Sequence, residues 1–273
     1  MSREHLQSGN RLELLKQVRV VLVRTEIAGN IGATARVLAN FGIRDWCLVA
    51  PQADPLAEES VKFAARAQPT LTSVRRCETL TEAVADCLVV CGTTSHETGM
   101  IRSTSLGLPW EILPRLLSAA VSGKVALVFG PEADGLSNED LSLCHHILHI
   151  PTDDGYPALN LSHSVAVCLY ELRRSLLLND RLEQPRSDLA AFTEQQRMFE
   201  HLEEALTELH FLWKPDADRL MYAIRHLLGR AGLTHQEVQI LHGLARQIQW
   251  RCRHPNPPYS PPLPSDPASK AMG

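Results

Sequence analysis

Four side chains in this 273-residue sequence stand where a polar group calls for an explanation beyond packing. Arg36 is the sole formal charge between Ile27 and Phe41, in the stretch IAGNIGATARVLANF. A guanidinium keeps its proton in a protein, so a sheltered one needs an anionic partner, structural or substrate. Glu132 follows the apolar run KVALVF and the pair Gly130-Pro131, ahead of a helix that Ser137 caps and that Glu139 and Asp140 favour from its first turn. A carboxylate placed there needs donors. Asn30 and Asn160 each open an apolar helical stretch, where an asparagine serves equally well as an N-terminal cap or as a ligand contact.

Other chemistries find less support. The run Cys144-His145-His146-Ile147-Leu148-His149 concentrates metal donors, but it straddles a helix end and a strand, which sends neighbours to opposite faces. Cys87 and Cys91, at same-face strand spacing, cannot close a metal site alone. No metal is expected, and His163 reads as a packed helix residue. The sequence holds neither GxGxxG nor GxxxxGK[ST], so a nucleotide-like cofactor must be held by some other loop geometry.

The elements that must position these groups alternate. Strand patterns occur at 18–23, 46–49, 73–76, 87–91, 124–129 and 146–150, and helical ones at 31–41, 56–67, 79–85, 109–120 and 138–144. KVALVF and CLVVC are apolar without alternation, as befits central parallel strands covered on both faces. The expected fold class is α/β with a mainly parallel sheet. Ligands in such sheets gather outside the carboxyl ends of the strands, here the loops 24–30, 92–107, 130–137 and 151–159. A long helix at 161–178 would close this unit, 1–178, and a polar segment with Pro185 would link it, over 179–190, to a small all-α extension at 191–253. That extension shows helices at 192–212, 218–231 and 235–253, the last opened by the capping box Thr234-His235-Gln236-Glu237. The tail 254–273 carries seven of the seventeen prolines and is expected to be disordered.

Composition sets outer limits. Net charge is −4, so RNA contact would have to come from local basic patches rather than bulk charge. Seven scattered cysteines without a CxxC pair suggest reduced thiols, the N-terminal stretch MSREHLQSGNRLELLK is polar, and no apolar run approaches the ~18 residues of a membrane span. The expectation is a soluble, cytoplasmic protein with no membrane contact.

Three stretches together resemble the three motifs of the SpoU branch of the SPOUT RNA methyltransferases. Asn30-Ile31-Gly32-Ala33-Thr34-Ala35-Arg36 is similar to the first, Phe129-Gly130-Pro131-Glu132 with Gly135-Leu136-Ser137-Asn138 to the second, and Leu159-Asn160-Leu161-Ser162 to the third. MFEHLEEALTELHFL and DRLMYAIRHLLGRAGLTHQEVQILHGLARQIQW resemble the helical extension of the TrmJ-type tRNA 2′-O-methyltransferases. The resemblance implies a homodimer whose catalytic unit ends in a deep trefoil knot involving the last strands and residues 151–178. It implies S-adenosylmethionine held against Thr93, Thr94, Ser95, Gly130, Ile150 and the Pro157-Ala158-Leu159 backbone, with Asn30, Arg36, Glu132 and Asn160 near the reacting ribose. The substrate would be nucleotide 32 of the tRNA anticodon loop. Arg36 would grip a phosphate and favour the developing alkoxide, oriented by Asn30 and Glu132, while Arg219, Arg225, Arg230, Arg246 and Arg251 would meet tRNA phosphates. The sequence departs from the frequent pattern at Ala158, where serine is common, at Asp134, where a basic residue is common, and in the loop 96–108, whose one arginine is Arg102. Competing readings are a SpoU-type enzyme for another tRNA or ribosomal position, a knotted RNA-binding module without catalysis, and a small-molecule α/β enzyme. The target base and the tRNA isoacceptors are not legible.

Overall fold

The structure, a computed structural model, describes residues 11–95, 106–178, 188–213 and 216–254. The expected linker, the proline-rich tail and the loop carrying Arg102 fall largely or wholly outside these residues. Among the described residues seven strands form one parallel sheet: β1 Val18–Val23, β2 Asp45–Val49, β3 Arg75–Cys77, β4 Val89–Thr94, β5 Leu106–Gly107, β6 Val125–Phe129 and β7 His146–His149. Their spatial order is β3-β2-β1-β6-β4-β7-β5. The helices are α1 Ala28–Phe41, α2 Glu58–Ala64, α3 Gln68–Thr72, α4 Leu80–Val84, α5 Pro109–Ala120, α6 Asn138–Ser142 and α7 Leu161–Leu177, then α8 Phe192–Glu208, α9 Ala217–Gly229 and α10 His235–Arg253.

The central strands are buried on both faces, as their unbroken apolar runs predict. β1 sends Val18, Val20 and Leu22 into the core shared with Ile31, Leu38, Leu113, Leu116, Val165 and Leu172, and Val21 and Val23 into the core on the other face. Each such fully buried side chain contributes about 1.5–3 kcal/mol. The edges are short, and β3 exposes Arg75 and Arg76, charges that discourage further strand pairing.

Several boundaries differ from the sequence expectation for physical reasons. β4 begins at Val89 and runs to Thr94, because β7 pairs with it through Thr93↔Leu148 and Thr94↔His149. Cys87 therefore precedes the strand and lies in the opposite core from Cys91, so the two cysteines do not share a face. The helix expected over 56–67 stops at Ala64, where Ala65 takes a positive φ of 51°. His163 is exposed on α7 rather than packed. The sheltered guanidinium belongs to Arg19 and not to Arg36. Arg19, inside the apolar run of β1, is 2% exposed and donates to Asp45 at 2.9 Å, to Asp86 and to the Ala83 carbonyl at 2.8 Å. Burial raises the Asp86 carboxyl, but hydrogen bonds from Arg19 and Lys124 outweigh it and hold it well below the usual carboxylate range. This network ties the amino ends of the strands, away from the loops that leave their carboxyl ends.

The extension seals one face of the sheet. Phe192 joins the core of Cys87, Val90, Leu141 and Cys144, and its N–H donates to the Cys87 carbonyl at 2.9 Å. Gln195 Nε2 donates to the Ala190 carbonyl at 2.8 Å, and its Oε1 lies 3.0 Å from Nε2 of the buried His145. The backbone of α9 at Gly229 packs on the same imidazole ring. α8 and α10 pack together through Leu202, Ala205 and Ala245, with His201 Nδ1 2.9 Å from His242 Nδ1. Arg225 corrects an expectation. It is 11% exposed, stacks over Phe199, and donates to Gln196 at 2.8 Å, so it supports the bundle instead of facing a phosphate.

Burial pushes His145 down to about 4 against the hydrogen bonds from Val90 and to Gln195 that oppose it. It pushes His146 down to about 4 as well, helped by His145, Arg115, His226 and Arg230, and His226 to about 4, helped by His145 and Arg230. His226 has no partner for either ring nitrogen among the described residues. These folded-state values lie below the ordinary 6.5, so their stabilisation is complete above pH 6.5 and is lost as pH falls toward 4. Thermal unfolding measured from pH 7 to 4.5 should show the melting temperature falling across this window, and His226→Leu should flatten the decline.

Candidate active site

Three loops at the carboxyl ends of β1, β6 and β7 are joined by a chain of side-chain hydrogen bonds. Asn30 Nδ2 donates to Glu132 Oε1 at 2.7 Å, and Asn160 Nδ2 donates to Asn30 Oδ1 at 2.8 Å. Glu132 also accepts the backbone N–H groups of Glu26 at 3.0 Å and Ile27 at 3.3 Å. Glu132, accepting three hydrogen bonds, thus pins the β6 loop to the start of α1. Asn160 is the N-terminal cap the sequence offered, since its Oδ1 accepts Ser162 N–H at 2.9 Å while its Nδ2 joins the chain through Asn30. Asn30 is no cap. α1 begins at Ala28 with Ile27 at its cap position, which places Asn30 inside the first turn with its side chain free to reach Glu132. Ser60 Oγ fixes that turn by donating to the Ala28 carbonyl at 2.8 Å.

Beside this chain lies a cavity of about 220 Å³. Its lining includes Thr93, Thr94 and Ser95 from β4, Gly130 from the β6 loop, and Ile150, Pro157, Ala158 and Leu159 after β7. These positions come together from loops separated in sequence, as expected. Ala133 and Ser164 also line the wall and were not singled out by sequence, whereas Phe129 belongs to the second motif stretch and Asp134 to its departures. Ser164 lies one turn into α7 from Asn160, and a polar residue in an apolar helix is the signal that could have found it. Thr93 Oγ1 donates to the Val128 carbonyl at 3.2 Å, tying β4 to β6 at the cavity floor. Thr152 Oγ1 donates to the Pro157 carbonyl at 2.9 Å and folds the last loop back on itself.

A further residue holds the β6 loop. Arg24, at the end of β1 with a φ of 50°, pairs with Asp140 in α6. Asp140 also accepts Ser137 N–H at 2.9 Å and Ser137 Oγ at 2.8 Å, so the expected Ser137 cap is closed into a full capping box. Burial raises the Asp140 carboxyl, but Arg24 and Ser137 outweigh it and hold it below the ordinary range.

Arg36 stands apart. Six residues along α1 from Asn30, it is about 9 Å further along the axis and turned about 240° round it. It is exposed and lines a different hollow with Asn40 and Arg66. A single chain therefore assembles Asn30, Glu132 and Asn160 without Arg36. The Cys144–His149 run is also dispersed: Cys144 Sγ donates to the Asp140 carbonyl, His145 Nδ1 accepts Val90 N–H at 2.9 Å, and His149 Nδ1 lies 3.3 Å from the Thr94 carbonyl. Among the described residues no group of three or more His, Cys, Asp or Glu is placed to hold a metal ion.

The two glycines of the β6 loop serve different needs. A Cβ on Gly130 would sit 2.2 Å from the Gly135 carbonyl carbon and the Leu136 nitrogen, so the loop closes on itself there. Gly135 has φ +67° with open space around it. Gly135→Ala should cost about 1 kcal/mol, the strain of an L-residue at positive φ. Gly130→Ala, which must move backbone, should cost more than twice that by urea unfolding and should distort the cavity.

Comparison with known proteins agrees with this geometry. The family model described as "SpoU rRNA Methylase family" matches residues 17–170, and that for "tRNA methyltransferase TrmJ, C-terminal domain" matches residues 193–257. The chain is 34% identical over 253 residues to the tRNA (cytidine/uridine/adenosine-2′-O-)-methyltransferase TrmJ of Pseudomonas aeruginosa strain UCBPP-PA14, covering 86% of this chain and 95% of that protein. It is 31% identical over 239 residues to the tRNA (cytidine/uridine-2′-O-)-methyltransferase TrmJ of Photorhabdus laumondii subsp. laumondii, covering 86% and 98%. The crystal structure of TrmJ from Z. mobilis ZM4 superposes with a TM-score of 0.71 at 28% identity, covering 85% of this chain and 98% of that one. With its motif loops gathered at one cavity and its helical extension docked on the same sheet, the chain belongs to the SpoU methylase family, in the TrmJ group.

Proposed function

We propose that this protein is an S-adenosylmethionine-dependent tRNA 2′-O-methyltransferase acting on cytidine or uridine at nucleotide 32 of the anticodon loop. The observation that carries the reading is the Asn30–Glu132–Asn160 chain set against a cavity where Thr93–Ser95, Gly130 and Pro157–Leu159 meet. The names of the TrmJ relatives supply the substrate class, and the resemblance to the TrmJ group supplies the position.

The residues present fit the cofactor. The cavity wall offers Gly130, Ala158 and main chain beside the apolar side chains of Phe129, Ile150 and Leu159, and the carboxylates of Glu132 and Asp134 line it where a cationic ligand gains from negative charge. Bound there, S-adenosylmethionine would supply an electrophilic methyl group. The chain's own residues do the positioning. Glu132 holds the β1 and β6 loops together, Asn30 and Asn160 present carboxamides beside the cavity, and Pro157–Leu159 shape its far side.

The ribose also needs a cation, since the 2′-oxygen gains negative charge as its proton leaves and holds it until the bond to the methyl group forms. A guanidinium is a poor base, so the work of Arg36 is to grip an adjacent phosphate and stabilise that charge, not to remove the proton. It faces away from the cavity of its own chain, and we infer a homodimer in which the second copy supplies it. We further read residues 1–178 as the methyltransferase unit, with the last strands and 151–178 forming a deep trefoil knot. Residues 191–253, joined through 179–190, form the tRNA-binding extension. Arg219, Arg230, Arg246 and Arg251 would be its phosphate contacts. No helix among the described residues is long and apolar enough to cross a membrane.

Ribose-methylation mapping of total tRNA from a strain lacking this protein should show loss of the 2′-O-methyl mark at nucleotide 32, restored by the wild-type chain; an unchanged map would refute the assignment. Arg36→Ala should lower turnover at saturating tRNA at least 100-fold with near-normal cofactor affinity. Mixed dimers of an Arg36→Ala chain and an Ala158→Arg chain, each inactive alone, should recover one working site if Arg36 acts across the dimer. They should stay inactive if it acts within one chain.

A further inference from the structure

A second hollow, of about 460 Å³, lies outside the cavity between α1 and the turn that follows α2. It is lined by Arg36, Ala39, Asn40, Ala65, Arg66 and Ala67. Its polar lining is two guanidinium groups and a carboxamide, with no acidic side chain. Arg36 and Arg66 are both exposed, and among the described residues neither has an ion-pair partner. Several other arginines are answered by carboxylates: Arg19 by Asp45 and Asp86, Arg24 by Asp140, Arg174 by Glu171, Arg253 by Glu208. Two unanswered like charges on one hollow repel until an anion joins them, and planar guanidiniums match the oxygens of a phosphate.

The backbone places them deliberately. Ala65 holds φ 51° and ψ −115°, a conformation L-residues rarely adopt. Its neighbours Ala64 and Ala67 are buried, so the chain is anchored on both sides of the strained residue while Arg66 is turned outward beside Arg36. Strain of this kind persists only where the surrounding structure holds it, and it clusters at ligand clamps.

We propose that this hollow seats a phosphodiester of the RNA backbone and that Arg66 is an RNA-contacting residue. The proposal rests on the reading of the chain as a tRNA methyltransferase in which Arg36 stands at a phosphate by the target ribose. Arg66 then meets that phosphate or the next one, as a binding contact away from the reacting atoms.

The test is tRNA affinity of the full chain across a salt series, without methyl transfer. Arg66→Ala should weaken binding about 5–10-fold near 100 mM salt and reduce the slope of log K against log salt by about one. Arg66→Glu should weaken it further, and Arg66→Lys should keep the slope but not the full affinity. Cofactor affinity and turnover at saturating tRNA should stay within about twofold, so the effect appears in KM. Unchanged affinity and slope in both Arg66→Ala and Arg66→Glu, with a wild type that binds and methylates tRNA, would overturn this assignment alone. A wild type that binds no tRNA would overturn the tRNA reading and the hollow with it.

Discussion

The site depends on one carboxylate. Glu132 accepts two backbone N–H groups from the end of the β1 loop and one carboxamide N–H from α1, and Asn30 passes the connection on to Asn160. A hydrogen bond to a charged group is worth roughly 1.5–3 kcal/mol, and removing the acceptor would leave the buried Asn30 carboxamide without its partner. Three loops that share no secondary structure are thereby held in one register. Loops carry function because they are free to vary, and this network converts three free loops into one rigid rim.

Around that rim the charges are divided by place. At the amino ends of the strands Arg19 is buried and fully answered by Asp45 and Asp86, so its role is to hold β1, β2 and the start of β4 together. At the carboxyl ends Arg24 and Asp140 secure the β6 loop from the side opposite Glu132. Arg36 and Arg66, without ion-pair partners among the described residues, lie on the outer surface, where a chain of net charge −4 has reason to concentrate what basic character it shows to an RNA.

The helical extension is built into the sheet as well as appended to it. Phe192 completes a core that β4, β6 and β7 begin, and Gln195 and the α9 backbone close over His145. A surface that in a smaller protein would be solvated is here apolar and covered. Any movement of the extension must expose it, which couples the placement of the extension to the sheet that carries the cavity.

Sequence alone determined most of the element order, though not the two-residue β5 or the short α3, together with the parallel sheet, the loops at the carboxyl ends of the strands, the Ser137 cap and the capping box at Thr234, because periodicity, turn chemistry and caps are local. Motif resemblance brought Asn30, Glu132, Asn160 and the cavity-lining positions into view. Tertiary structure decided the rest. Side-chain direction depends on helix phase and on long-range pairing, so only the fold showed that Arg36 turns outward while Arg19 is the buried guanidinium, and that Asn30 sits inside its helix. The extent of β4 was set by pairing with β7, more than fifty residues later in the chain. Arg225 read as a surface cation until its packing on Phe199 was seen. The Ala65 turn that places Arg66 beside Arg36 has no signature in the sequence, since nothing about an alanine announces a positive φ that only its buried neighbours can impose.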